Sequence, residues 1–180
     1  AAMKTCLRFV RDTTLRACGP NGELPSEQTL LKSALESLGL EPMSDDLYST
    51  LEREDIVEVH DLSGTQIYRN FEAFNLISFT LFDLIANPWY TLYSRPQLAS
   101  EAIQRRMLEL MSNPKGVEDA KIPDHLITEL EVEMPRSILL SFKKVAPLRS
   151  KATGEIAAFF STKSARLIAH GEETSKIAFI

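Results

Sequence analysis

The sequence has little cysteine and no long apolar run, and each shortage narrows the class of protein. Its 180 residues include two cysteines, Cys6 and Cys18, both in the first helical stretch. A helix that joins them would place them about 18 Å apart at ~1.5 Å per residue, too far for a disulfide. Sparse cysteine is typical of a reducing compartment.

No apolar run approaches the ~20 residues of a membrane span, and basic residues interrupt the N-terminus, which argues against a signal peptide. We therefore expect a cytoplasmic protein without a membrane partner.

Motifs that carry enzyme chemistry are also missing. The seven glycines form no G-x-S-x-G, G-x-x-x-x-G-K-[ST] or G-x-G-x-x-G pattern, so neither a nucleophile elbow nor a phosphate-cradling loop is indicated. The three histidines, His60, His125 and His170, have no metal-binding spacing. Neighbouring carboxylates such as Asp45 and Asp46 are typical of solvated turns and helix ends. We expect no metal and no enzymatic activity from this chain.

The charge is mildly acidic and unevenly distributed. The net charge is −5, which argues against a protein that coats nucleic acid with its whole surface. Residues 41–61 hold eight carboxylates and one arginine, whereas residues 136–166 hold seven basic residues and one glutamate. The basic stretch either receives an anionic ligand or an acidic partner, or it forms the solvated face of an edge hairpin. We favour the edge hairpin, because lysine discourages pairing at a sheet edge.

The hydrophobic pattern predicts a helical start followed by mixed elements. Apolar positions recur at helical spacing in residues 3–18, 26–38 (capped by Ser26) and 44–51. A strand pair around the turn Asp61-Leu62-Ser63-Gly64 follows, and Asn70 is a candidate helix cap. Residues 81–86 and 96–112 are predicted helices. Strands are predicted over 125–133, 136–148 and 155–162, with a final helix from Ser164. This order indicates an α+β fold with an antiparallel sheet.

Two segments of this pattern resemble PAS domains. The run EDIVEVHDLSGTQIYRNFEAFNLISFTLFDLIANPWYTLY is similar to the opening strand, D-x-x-G turn, second strand and Asn of that family. The run SILLSFKKVAPLRSKATGEIAAFFST is similar to its closing hairpin. The resemblance covers roughly residues 54–162. It implies a five-stranded antiparallel sheet with helices on one face, and a first strand that lies beside the last. The two charged stretches would then be neighbours.

We accordingly divide the chain into three parts. Residues 1–53 form an N-terminal helical extension, residues 54–165 a PAS-like sensory domain, and residues 166–180 a tail or the start of a linker helix. A sheet covered by helices encloses an apolar space, which side chains fill or a ligand occupies. The side chains expected to contact a ligand are Phe74, Trp89, Tyr90, Arg95, His125, Ser141 and Phe159. A filled core is the more common outcome for such aromatic residues.

The resemblance also argues against three cofactor classes. An axial histidine for haem would come from the long helix, and residues 97–112 contain none. A flavin photosensor or a chromophore thioester needs a cysteine in the central region, where there is none. We therefore expect no cofactor.

Our leading hypothesis is a bacterial, non-catalytic regulatory domain that binds a small ligand or a partner protein and signals to an output module. Because the N-terminal apolar stripe needs a covering surface, we expect a homodimer. A ligand-free dimerisation module of the same fold is one alternative. A DNA-binding regulator that uses residues 26–38 is the other, although the acidic stretch beside them would repel phosphate.

Overall fold

The computed structural model describes residues 25–52, 54–80, 83, 87, 89–130 and 132–168. The predicted helix 3–18, both cysteines, His170 and most of the predicted helix 81–86 lie outside these residues, as does the tail beyond Ile168.

Local signals explain where the described helices begin and end. Helix α1 (Glu27–Ser37) starts where the Ser26 hydroxyl accepts a hydrogen bond from the Thr29 amide, as the predicted cap requires. It ends before Gly39, which adopts φ 67°, a conformation that favours glycine. Shorter helices follow at α2 (Asp46–Ser49), α3 (Phe71–Leu76) and α4 (Trp89–Leu92), and the long predicted helix is α5 (Gln97–Ser112).

The described strands form one antiparallel sheet. Its members are β1 (Leu40–Pro42), β2 (Ile56–Asp61), β3 (Gln66–Arg69), β4 (Tyr93–Ser94), β5 (Glu118–Asp119), β6 (His125–Glu129), β7 (Ser137–Ser150) and β8 (Ile156–Ile168). The order is β3-β2-β8-β7-β6-β4, and β1 and β5 also pair with β7. The five longest strands thus make up the predicted sheet, and three short strands extend it. The α+β class with an antiparallel sheet is confirmed.

The first long strand lies beside the last one. In the pairing of β2 with β8, Ile56 is opposite Lys163 and Asp61 is opposite Ala158. The acidic and basic stretches are therefore neighbours, as predicted. Lys143 Nζ, for example, lies 2.6 Å from Glu52 Oε2 and 2.6 Å from Asp55 Oδ1.

Helices α3 and α5 lie on one face of the sheet, as predicted, and α1 of the N-terminal extension covers the other face. The face that carries Val57, Val59, Leu148 and Phe160 (the outer face) packs against Leu31 and Leu35 of α1, together with Leu40 and Leu47. The opposite face (the inner face) lies toward α3 and α5 and carries Glu58, Leu140, Phe159 and Lys163. The apolar stripe of α1 is thus covered by this chain's own sheet.

A bulge in β7 changes which residues face inward. The register shifts between Phe142 and Lys144, so Lys143 is the extra residue. Phe142 and Val145 consequently pack in the same cluster on the α5 side, although strict alternation would place them on opposite faces.

Three local predictions are wrong. Asn70 precedes α3 but does not cap it. Its Oδ1 instead accepts from the Val57 amide, and its Nδ2 donates to the Asp55 carbonyl. Residues 164–168 continue strand β8 rather than starting a helix. The β7–β8 hairpin is central rather than at an edge, because β2 pairs with β8 and β6 pairs with β7.

Candidate functional site

A cavity of about 590 Å³ lies between the inner face of the sheet and helices α3 and α5. Strands β2, β3, β6, β7 and β8 form one side of it. Ala73 and Leu76 of α3, and Ile103 and Met107 of α5, form the other side. The helices stand over the sheet without filling the space beneath them.

The rim of the cavity is exposed and apolar. Leu62, in the turn between β2 and β3, is 52% exposed, and Leu108 and Met111 of α5 are 63% and 46% exposed. The turn itself is held by Asp61 Oδ1, which accepts hydrogen bonds from the amides of Ser63 and Thr65. The opening between this turn and α5 therefore presents an apolar edge to solvent.

A buried carboxylate flanked by two cations lies inside the cavity wall. Arg69 is directly opposite Glu58 across β2 and β3, and its Nη2 lies 2.6 Å from Glu58 Oε1. Lys163 is diagonal to Glu58 across β2 and β8, and its Nζ donates to Glu58 Oε2. Lys163 Nζ also lies 4.4 Å from the centroid of the Phe142 ring, a cation–π contact. We call these three residues the Arg69–Glu58–Lys163 triad.

Burial and charge shift the pKa values of this wall. Burial opposes ionisation of Glu58, but Lys163 and Arg69 outweigh it and hold the pKa of the carboxyl well below its usual value. Burial lowers the pKa of His60 to about 4, despite the favourable charge of Glu58. Burial also raises the pKa of the Tyr93 hydroxyl to about 12. At neutral pH the cavity therefore contains an ionised Glu58, a neutral His60 and a neutral Tyr93.

The structure brings only some of the predicted site residues together. Arg95 and Phe159 line the cavity. Ser141 pairs with Ser164 in the ladder between β7 and β8 and is not among the described lining residues. The side chains of Phe74, Trp89 and Tyr90 lie outside what the structure describes.

His125 is buried beside the cavity rather than in its described lining. Its Nδ1 is 2.9 Å from the Pro123 carbonyl oxygen, so Nδ1 carries the proton and Nε2 is an acceptor. The ring stacks on Phe142 at 5.8 Å between centroids. Burial lowers its pKa. The residue thus supports the Phe142 wall.

The triad was not predicted from the sequence. In the segment Ile56–Asp61, alternation places Val57 and Val59 on one face and Glu58 on the other, and a charged alternate position normally indicates solvent. In this protein α1 covers the face that carries the valines, and α3 and α5 lie over the face that carries Glu58. The sequence did contain a signal for Lys163. This lysine lies in the mostly apolar closing strand, where a single charged residue can point into the interior.

The described residues contain neither a cluster of metal ligands nor a membrane-spanning helix. The described part of the chain contains no group of three or more histidine, cysteine, aspartate or glutamate side chains arranged to hold a metal ion. No helix among the described ranges is long and apolar enough to cross a bilayer.

Several solved structures are similar to this chain in fold. The structure is similar to the PAS-B domain of Cycle from Drosophila melanogaster, solved with bound glycerol (TM-score 0.45, 12% identity, 62% of this chain and 99% of that one). It is similar to a PAS domain from Colwellia psychrerythraea (TM-score 0.39, 19% identity, 64% of this chain and 86% of that one). It is also similar to an RNA-binding light-oxygen-voltage receptor (TM-score 0.40, 12% identity, 87% of this chain and 48% of that one). No family model and no curated protein match the sequence. These similarities to PAS domains concern the fold alone.

Proposed function

We propose that this chain is a non-catalytic sensory or regulatory domain that binds a small molecule in the cavity beneath α5. Binding would change the packing of α5 against the sheet, and the flanking segments would carry that change to an output module. A ligand shifts such an equilibrium only through different affinities for the two packings.

The observation that carries this proposal is the cavity itself. Its volume of about 590 Å³ lies within the ~300–1,000 Å³ of small-molecule sites, which combine apolar walls with a few placed polar groups. Voids larger than a water molecule are otherwise few in a packed interior. The cavity has the apolar walls of Ile127, Leu140 and Phe159 and the polar groups of the triad.

The two alternatives have less support. A ligand-free dimerisation module would be favoured by a closed core, which the cavity argues against. DNA binding would need a cationic face on α1. The apolar residues of that helix are buried against the sheet, and its exposed side carries Lys32 together with Glu36, so the two charges oppose each other. Homodimerisation stays a prediction.

The experiment measures whether an apolar probe enters the cavity. N-phenyl-1-naphthylamine, a neutral dye that fluoresces in apolar surroundings, should bind the wild-type protein in a saturable manner. Ile103→Trp places an indole in the cavity from α5 and should weaken dye binding about tenfold or more. Arg105→Trp adds the same group at an exposed position of the same helix and is the matched control.

Hydrogen exchange then tests the signalling step. Saturation with the dye should slow amide exchange in α5 and in the β2–β3 turn more than in β7. An absence of saturable dye binding, or equal effects of the two tryptophan variants, would contradict the proposed cavity function.

A further inference from the structure

We propose that the cavity is selective for an amphipathic anion, an apolar molecule with one carboxylate-like group that binds between Arg69 and Lys163. This inference rests on the proposed function, because it names the chemical class of ligand for the same cavity.

Positive charge exceeds negative charge in the cavity wall. The described lining contains two cations of the triad, Arg69 and Lys163, against one buried carboxylate, Glu58. The other carboxylate of the lining, Asp61, lies at the rim, where its Oδ1 accepts hydrogen bonds from Ser63 and Thr65. It therefore belongs to the turn. Ion pairs in a protein interior are rarely left with excess charge of one sign.

The hydrogen-bond donors of the triad are incompletely used. Arg69 donates from Nη2 to Glu58, and the Tyr93 hydroxyl lies near its guanidinium, but its buried Nε and Nη1 make no hydrogen bond with the described residues. A guanidinium has five N–H donors in a fixed fork, and that fork matches the two oxygens of a carboxylate. Buried polar atoms without a partner are uncommon in native proteins. A ligand carboxylate would supply the missing acceptors and compensate part of the excess charge.

The rest of the cavity fits the apolar part of such a molecule. Ile127, Ile138 and Leu140 line its inner wall, whereas Leu108 and Met111 surround the exposed opening. Apolar surface therefore extends from the buried cations to solvent. A nucleotide or a sugar phosphate would bury many polar groups against this wall without partners, which is unfavourable. An alkyl or aryl carboxylic acid has a single polar group, so it would not bury further polar groups against this wall.

The experiment compares three probes that have ten-carbon chains, counting the carboxylate carbon, and different head groups. Decanoate, decanol and decyltrimethylammonium each compete with bound N-phenyl-1-naphthylamine in the wild-type protein at pH 7.5. We expect decanoate to bind about tenfold tighter than decanol, since hydrogen bonds to charged groups are about twice as strong as neutral ones. Decyltrimethylammonium should bind more weakly than decanol.

Two variants locate the anion site, and a third provides the control. Arg69→Met should remove most of the preference for decanoate over decanol. Glu58→Gln removes the competing carboxylate and should increase decanoate affinity several-fold. Lys144→Met removes a lysine that pairs with Asp119 at an exposed site and should leave the preference unchanged. A far-UV circular dichroism spectrum equal to that of wild type establishes that each variant is folded.

The outcomes distinguish a failure of the anion preference from a failure of the proposed function. If decanol and decanoate bind equally well and Ile103→Trp blocks both, the cavity binds ligands and the anion preference is refuted. If the dye does not bind at all, the proposed function itself is contradicted. Because the head-group comparison uses the wild-type protein, it decides the question even if a variant fails to fold.

Discussion

Replacement of Leu35 by alanine tests whether α1 belongs to the same folding unit as the sheet. Leu35 is 1% exposed and packs with Leu31 against the outer face. Truncation of a buried leucine to alanine costs about 2–5 kcal/mol, a large part of the roughly 5–15 kcal/mol that stabilises a typical domain. With a urea m-value of about 2 kcal/mol per M, the unfolding midpoint should fall by about 1–2.5 M.

Urea unfolding followed by circular dichroism and by Trp89 fluorescence measures this change, with Lys32→Ala as the control. Lys32 is exposed on the same helix, so its replacement should change stability by no more than about 0.5 kcal/mol. A single transition that moves to lower urea in Leu35→Ala would place α1 in one cooperative unit with residues 54–168. Wild-type stability in Leu35→Ala, or a separate early transition, would refute the reasoning and support a domain boundary at residue 54.

Two further predictions concern polar groups in and beside strand β2. The pKa of His60 is near 6.5 when unfolded and about 4 when folded, so the unfolded state binds more protons in this window and stability should fall as the pH drops from 6.5 to 4. The loss should be at most about 3 kcal/mol, and His60→Gln should flatten the urea midpoint between pH 7 and 4.5; an unchanged profile would contradict this. Asn70 bonds the Val57 amide and the Asp55 carbonyl, so Asn70→Ala should cost about 1–3 kcal/mol by leaving both groups without partners. The exposed Asn113→Ala is the control, and equal midpoints of the two variants would show that these bonds contribute nothing.

Turns and helix ends were predictable because their causes are local. Gly64 adopts φ of 81° and lies at the end of the predicted turn from Asp61. Ser26 accepts the hydrogen bond that starts α1. The spacing of apolar residues in α5 predicted that helix within one residue of its bounds, Gln97–Ser112. Each of these features depends on residues a few positions apart.

Part of the cavity wall was also predictable. Arg95 and Phe159 were expected at a ligand site, and both line the cavity. Aromatic and cationic residues near a sheet covered by helices are reasonable candidates for such a wall. They were two of seven candidates, and whether the space between sheet and helices is filled or empty depends on how far the helices stand from the sheet.

The sequence by itself determined the order of the long elements, the sites of the hairpin turns and the pairs of alternate residues that share a strand face. Only the tertiary structure decided which face each set occupies, because the alternating pattern says that Glu58 opposes Val57 and Val59 but not what covers either side. It also decided that Glu58 meets Lys163, which lies 105 residues away, and that the bulge at Lys143 brings Phe142 and Val145 to one face. These contacts depend on strand register and packing between distant segments. For that reason the charged cavity became visible only in three dimensions.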